Sequence, residues 1–350
     1  MGYYNIIEPK LFGDFRCLGS DCPQNCCGRW GHIMWTSEEY ANLASREMPE
    51  EMREKVRASF VEEQNPYLPE QKVFNIKLEN SACPFLSANG LCSIQLKFGE
   101  DALSATCAVY PRVSVFNSAV LTRSCYSSCP EVLRILFTDK NALKVDIRTV
   151  QLRGNEVVFK AVSCEDERDF AENPALRFRN ELFGLFYDIL SNSEKSAEEN
   201  LAIGSAAAKR LSEISADEIP AALQALFGQL ESGNLRGEGA VLDEQEAEKL
   251  LQEILGENAQ KQKSTDFSLP DFFFGNLALN LLFELKMPFY FAEQSISENF
   301  SLLCASFSLM KRFALSCGEE QLFTRLADFS RTIIHDKNTA HAILDFLKKT

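Results

Sequence analysis

Nine of the twelve cysteines in this 350-residue chain lie between Cys17 and Cys129. Cys22, Cys26 and Cys27 fall within six positions, two of them adjacent, and Cys17 stands just upstream. Cys83, Cys92, Cys107, Cys125 and Cys129 follow, whereas Cys164, Cys304 and Cys317 are scattered through the remainder. Gly19, Pro23, Gly28 and Gly31 punctuate residues 17–31, which predicts a loop rather than a long helix. Such a loop can fold back and aim several sulfurs at one point. So dense a patch of thiols points to a cysteine-ligated metal or cluster module, with the rest of the chain as helical scaffold.

The sequence has a net charge of −14. That excludes non-specific nucleic-acid binding, which needs clustered Lys and Arg on one face. It is compatible with a basic, lysine-presenting partner. Residues 1–16 have no basic segment followed by an apolar one, so no export signal is expected there. The most apolar run, Phe272 to Leu285, is short and carries Asn276, Asn280 and Glu284, so no membrane span is expected. The expected location is the reducing cytoplasm. There the cysteines serve as thiols or metal ligands rather than as disulfide staples.

Periodicity places the elements. A helix is expected from Ser37, with Ser37 as its cap and Glu38 and Glu39 at its positive end. A second is expected from Pro49 to Gln64, ended by Pro66 and Pro69. Lys72 to Leu78 alternates and reads as a strand, and Val113 to Thr122 reads as a β-hairpin. Short helices are expected at 100–107 and from Pro130 to Phe137. Residues 141–162 read as strand-like or mixed. Beyond 170 the apolar spacing is helical, as in Leu176, Phe178, Leu182, Leu185, Phe186 and Ile189. Further helices are expected at 206–214, 220–230, 242–255, 271–286, 295–315, 318–334 and 338–349. The fold class is therefore mainly α: a small α+β cysteine-rich module over residues 1–140, followed by an α-helical domain over 141–350.

Four thiolates suit tetrahedral zinc or an iron–sulfur cluster. The spacing is that of neither a zinc ribbon nor a familiar cluster motif. The module holds no C-x2-C pair, and a vicinal Cys26-Cys27 pair cannot easily give both sulfurs to one ion. Radical enzymes that open S-adenosylmethionine use C-x3-C-x2-C; Cys22-x3-Cys26 fits the first interval, but position 29 is Arg29. A zinc staple without chemistry and a redox sensor built on the vicinal pair stand as alternatives. Cys164, Cys304 and Cys317 read as core residues, Cys304 lying on a stripe with Leu303, Phe307 and Met310. His32, just after the loop, is a candidate ligand; His335 reads as a polar core contact or helix-end group. There is no Walker loop, H-E-x-x-H or G-x-S-x-G, and Gly237-Glu238-Gly239 is not a dinucleotide turn.

These motifs carry a family resemblance. PKLFGDFRCLGSDCPQNCCGRW, CPFL with GLCSIQ, LSATCAVYPR and SCYSSCPE resemble the FliB-type flagellin lysine N-methylases. The first part is also similar to a broader zinc- or iron-chelating cysteine-cluster domain. LADFSRTIIH, near the other end, resembles the family's C-terminal helices, so the resemblance extends over nearly the whole chain. It implies methyl transfer from S-adenosylmethionine to lysine ε-amines of flagellin, with an iron–sulfur cluster, expected as 4Fe-4S, in the enzyme. The cysteines matching the family's motif are Cys17, Cys22, Cys26, Cys27, Cys83, Cys92, Cys107, Cys125 and Cys129. A cluster held by three cysteines leaves one iron open to the amino and carboxylate groups of S-adenosylmethionine. A direct polar transfer is the other route, and it needs a neutral amine and a base that the sequence does not name. Tyr110 and Arg112, beside Cys107, are the candidates for contacting the cofactor.

Overall fold

The computed structural model describes residues 2–28, 33–65, 70–80, 82–117, 120–152, 162–163, 173–256 and 267–349. The chain is mainly α with two small sheets. It divides into two units. One is Arg16–Tyr110; the other joins Met1–Phe15 to Pro111–Thr350. The boundary expected at residue 140 falls inside the second unit, because strands from both sides of it share a sheet.

The chain begins in the larger, helical unit with a strand (β1, Gly2–Pro9) and a short helix (α1, Lys10–Asp14). It then enters the cysteine unit. There a strand (β2, Met34–Thr36) leads into two helices (α2, Ser37–Ala44; α3, Glu50–Ser59). Strands β3 (Phe60–Gln64) and β4 (Lys72–Ile76) and helices α4 (Ser93–Phe98) and α5 (Ala105–Val109) follow. The three strands pair antiparallel in the order β2-β4-β3.

Two expectations shift here. Thr36, not Ser37, caps α2: its hydroxyl accepts from Glu39 N at 3.1 Å, and Glu39 Oε2 accepts from Thr36 N at 2.7 Å. The helix expected to run to Gln64 ends at Ser59, and residues 60–64 join the sheet instead. Phe60 explains the switch. It is buried, with its ring 5.1 Å from that of Trp35 and 5.0 Å from that of Tyr40. Aromatic packing of this kind outweighs a short run of helix propensity.

The chain returns to the helical unit through β5 (Arg112–Asn117), β6 (Val120–Cys125), α6 (Pro130–Thr138), β7 (Val145–Leu152) and β8 (Val162–Ser163). The five-stranded sheet runs β7-β1-β6-β5-β8. β1 lies parallel to β6, with Asn5 opposite Val120, and antiparallel to β7. The expected hairpin is β5-β6. Eight helices complete the described part of this unit: α7 (Arg179–Leu190), α8 (Ala197–Ser212), α9 (Ile219–Glu231), α10 (Glu244–Leu255), α11 (Asp271–Glu284), α12 (Ile296–Leu315), α13 (Leu322–His335) and α14 (Lys337–Leu347).

α11 is buried on every side from Asn276 to Glu284, and it packs on α6, α7, α12 and β6. A helix so placed has no solvent face, which is why its sequence is apolar nearly throughout. Cys304 and Cys317 are buried, as expected of core thiols. Cys164 and His32 lie outside the described residues.

Two glycines fix how closely the chain approaches α8. A Cβ on Gly204 would stand 2.3 Å from Phe300 Cζ, so the ring of Phe300 packs directly on the helix backbone. A Cβ on Gly237 would stand 2.0 Å from the carbonyl oxygen of Ala202. That neighbour is helix backbone and cannot swing aside. Gly237→Ala is therefore expected to cost about 1–3 kcal/mol of stability, the usual range for overpacking. Urea unfolding of the two proteins checks this; equal midpoints would show that the segment simply moves away.

Candidate functional site

The cysteine loop is built of tight turns. Residues Gly19–Asp21 and Cys26–Gly28 are single 3-10 turns, and Gly19 has φ +57, a left-handed conformation that suits glycine. Asn25 Oδ1 accepts from Gly28 N at 2.9 Å, which closes the second turn around Cys26 and Cys27. Cys83 then joins the loop through its backbone, its N–H donating to Cys27 O at 2.9 Å. The Ser87–Leu91 turn, with Gly90 at φ +78, returns the chain to Cys92 at the N-cap position of α4. Cys107 lies on α5, with its N–H donating to Ser104 Oγ at 3.2 Å.

Five thiols from four chain segments thus act on one another. The Cys27 thiol is held far above its ordinary value, first by its hydrogen bond with Cys26, then by burial, then by Cys26, Cys83 and Cys92. Burial raises Cys83, and Cys92 adds to it, while Lys55 is among the groups that oppose the shift. Burial pushes Cys107 up to about 12, with Cys83, Cys92 and Cys26 contributing and Ser104 opposing. Cys83, Cys27, Cys92 and Cys107 also pack with Ile33, Trp35, Phe60 and Phe85 in the core of this unit. Cys22 is half-buried and Cys17 exposed. Among the described residues, no three Cys, His, Asp or Glu side chains already stand as a metal's ligand shell.

The chemistry of the donor set nevertheless fits a soft cation. Burial and neighbouring thiols hold Cys27, Cys83 and Cys107 un-ionised, and a bound cation reverses that interaction by favouring thiolates. An orphaned polar group points the same way. Gln24, between Cys22 and Cys26, is buried, and neither end of its amide meets a partner among the described residues. Buried amides in folded proteins are normally satisfied.

Cys125 and Cys129 belong to the helical unit, where they are buried at the end of β6 and the start of α6. Burial raises the Cys125 thiol, and Arg112 opposes that shift. Arg112 is itself tied to α1: Nη2 donates to Phe15 O at 2.9 Å, Nε to Phe12 O at 3.4 Å, and the guanidinium lies over both rings. Tyr110 ends α5 with its N–H donating to Thr106 O, in the cysteine unit.

The helical unit holds a second constellation, which the sequence reading did not assemble. The turn Ser124-Cys125-Tyr126-Ser127-Ser128-Cys129 meets α11 and α13. Glu284, 1 % exposed, accepts from Ser127 N and interacts with Ser127 Oγ at 3.0 Å. Asn280 Nδ2 donates to Glu284 Oε1 at 2.9 Å and to Cys125 O at 3.1 Å, while its Oδ1 accepts from Ser124 Oγ at 2.9 Å. Ser127 Oγ lies 2.6 Å from Ser330 Oγ, and Ser128 Oγ lies 2.9 Å from His335 Nε2. Burial pushes Glu284 up to about 8 against the donors from Ser127 and Asn280. Burial, then Arg331 and Lys286, pushes His335 down to about 3. His335 is thus both things expected of it, the last residue of its helix and a polar core contact. The signal for this network was the i, i+4, i+8 spacing of Asn276, Asn280 and Glu284, one polar line on an otherwise apolar helix.

Comparison with known proteins gives partial similarity. The chain is 27% identical over 147 residues to a lysine-N-methylase of Salmonella choleraesuis (strain SC-B67), and equally to one of Salmonella typhimurium (strain LT2). Each match covers 41% of this chain and 35% of the methylase, so the chain spans about a third of the length of these relatives. It is also 28% identical over 140 residues to the flagellar biosynthetic protein FliU of Salmonella muenchen, covering 39% of this chain and 80% of that protein. No family model and no solved structure matches. The similarity supports the FliB-type resemblance at the level of distant relatives. No described helix is long and apolar enough to cross a membrane.

Proposed function

We propose that this chain is an S-adenosylmethionine-dependent lysine N-methylase acting on flagellin, with an iron–sulfur cluster in its cysteine unit. The observation that carries this reading is the convergence of five thiols from four segments in a chain distantly similar to lysine-N-methylases. Cys26, Cys27, Cys83, Cys92 and Cys107 are the residues that would hold the cluster. When bound, a cluster with an open iron supplies a coordination position for the amino and carboxylate groups of the methyl donor.

The protein's own contribution is binding and electrostatics. Its net charge of −14 favours approach of a lysine-bearing surface. The lysine first gives its ammonium proton to water; the freed lone pair then bonds to the methyl carbon as the carbon–sulfur bond breaks, and the sulfur leaves with the bonding pair as a neutral thioether. The amine must therefore be neutral when it attacks.

The test is co-expression with flagellin followed by mass measurement of the flagellin. Added mass in whole methyl units is expected. Flagellin of unchanged mass, beside a protein that carries its cluster, overturns the methylase reading. Colourless protein with stoichiometric zinc after anaerobic purification overturns the cluster and leaves the zinc staple.

A further inference from the structure

Two buried N–H donors in the cysteine unit have no acceptor among the described residues. The first is the amide of Gln24. From Arg16 to Gly28 it is the one buried residue, 5 % exposed, while Cys22, Cys26 and Cys27 beside it are half-buried. Glutamine is mostly an exposed residue in folded proteins. Here the loop turns an amide inward, and neither Nε2 nor Oε1 meets a partner among the described residues. The next residue shows the contrast, since the Asn25 amide is used locally, its Oδ1 accepting from Gly28 N.

The second is the indole of Trp35 on β2. It is 1 % exposed, and its Nε1 meets no acceptor among the described residues. A buried indole N–H normally finds one. Trp35 sits in the core that also holds Cys83, with Cys27, Cys92 and Cys107 packed against it. A buried donor left unmet is costly, and an apolar side chain of similar size would avoid that cost.

Both donors thus belong to the unit whose five thiols would hold the cluster. Sulfurs bound to iron carry negative charge, and hydrogen bonds to them are among the levers that set a cluster's potential. Only the NH2 end of Gln24 can face such a sulfur, because its carbonyl is an acceptor.

We propose, on the cluster reading above, that Gln24 Nε2 and Trp35 Nε1 donate to sulfurs of that centre. Neither residue binds iron. Their N–H dipoles favour the more negative, reduced state and so hold the potential up.

Redox titration of the full chain, reconstituted anaerobically with iron and sulfide, tests this. Gln24→Met keeps the length of the side chain and removes the amide. Trp35→Phe keeps a ring and removes the N–H. Both are expected to take up iron and sulfide as the wild type does. The double variant should shift the one-electron equilibrium toward the oxidised form by roughly tenfold, about 59 mV, and each single variant by part of that. Without metal, Gln24→Met should unfold at a urea concentration no lower than the wild type, because it loses no bond. A residue that served packing alone would give the reverse, a less stable metal-free protein with an unchanged potential, and that result overturns the proposal. Wild type grown with side-chain 15N-labelled glutamine and tryptophan gives a readout that no variant's folding affects. Magnetic coupling of 15N to the reduced cluster is expected, and its absence overturns the proposal. Failure of the cluster reading looks different. Wild type that takes up zinc but neither iron nor sulfide overturns both, whereas a loaded wild type whose potential the two variants leave unchanged overturns the donors alone.

Discussion

Glu284→Gln is expected to be more stable than the wild type by an amount that grows as pH rises from about 4.5 to 8 and stays constant above it, because it removes the loss that ionisation of Glu284 causes. The folded state pushes this carboxyl from 4.5 up to about 8, mainly through burial. Over that interval the folded state holds a proton that the unfolded state releases, so stability falls as pH rises and levels off above 8. At about 1.4 kcal/mol per pH unit, the loss is on the order of a few kcal/mol. Glutamine reproduces the protonated acid. Its carbonyl can accept from Ser127 N and Asn280 Nδ2, and its NH2 can donate to Ser127 Oγ, which in turn can donate to Ser330.

The neighbouring His335 acts at the other end of the scale. It is held down to about 3, so the unfolded state binds the proton first, and stability falls as pH drops from 6.5 toward 3. The serine turn is thus squeezed from both sides, with its optimum between the two. Denaturant unfolding of wild type and Glu284→Gln from pH 5 to 9 checks the prediction. Parallel stability curves would mean that Glu284 is solvated in solution.

Cys27→Ser carries the largest expected effect on activity. Under the proposed function it abolishes iron and sulfide incorporation after anaerobic reconstitution, and methylation with it. The Cys27 thiol is hydrogen-bonded with Cys26, its backbone carbonyl accepts from Cys83 N, and it feels both Cys83 and Cys92. Serine keeps the shape and removes the soft donor. Cys17→Ser, at an exposed position, should leave metal content unchanged, as should Cys125→Ser in the helical unit. Full iron in Cys27→Ser, or loss in Cys17→Ser, would show that a different set of thiols holds the metal.

The helices were legible because apolar spacing at period 3.6 is a local property. α11, α12 and α14 lie within a few residues of where the spacing placed them. The density of thiols near residue 22 was equally visible. Their partition was not: spacing alone could not separate Cys125 and Cys129, in the helical unit, from the five that act on one another in the cysteine unit. Nor could it pair Gly2–Pro9 with strands more than a hundred residues away. The polar line Asn276, Asn280 and Glu284 was seen, but only as a bar to membrane insertion. Its partners, Ser124 to Ser128 and Ser330, lie far off in sequence, and only the fold brings them to it. Yet the two motifs behind the family resemblance at either end of this network, SCYSSCPE and LADFSRTIIH, turn out to be neighbours in space.

The strand β1 makes the cysteine unit an insertion: the chain leaves one folded body at Phe15 and re-enters it at Pro111. The two ends of that gap lie within the reach of one arginine side chain, since Arg112 Nη2 touches Phe15 O at 2.9 Å. Closing so small a gap costs little, because loop-closure entropy grows only slowly with length. A shortened chain in which a few glycines and serines replace residues 16–110 is therefore expected to fold, with the cooperative unfolding and pH profile of the parent helical body. Grafting, rather than truncation at residue 140, is the cut that respects this topology, since truncation there removes β1, β5, β6 and α6 from the body they complete.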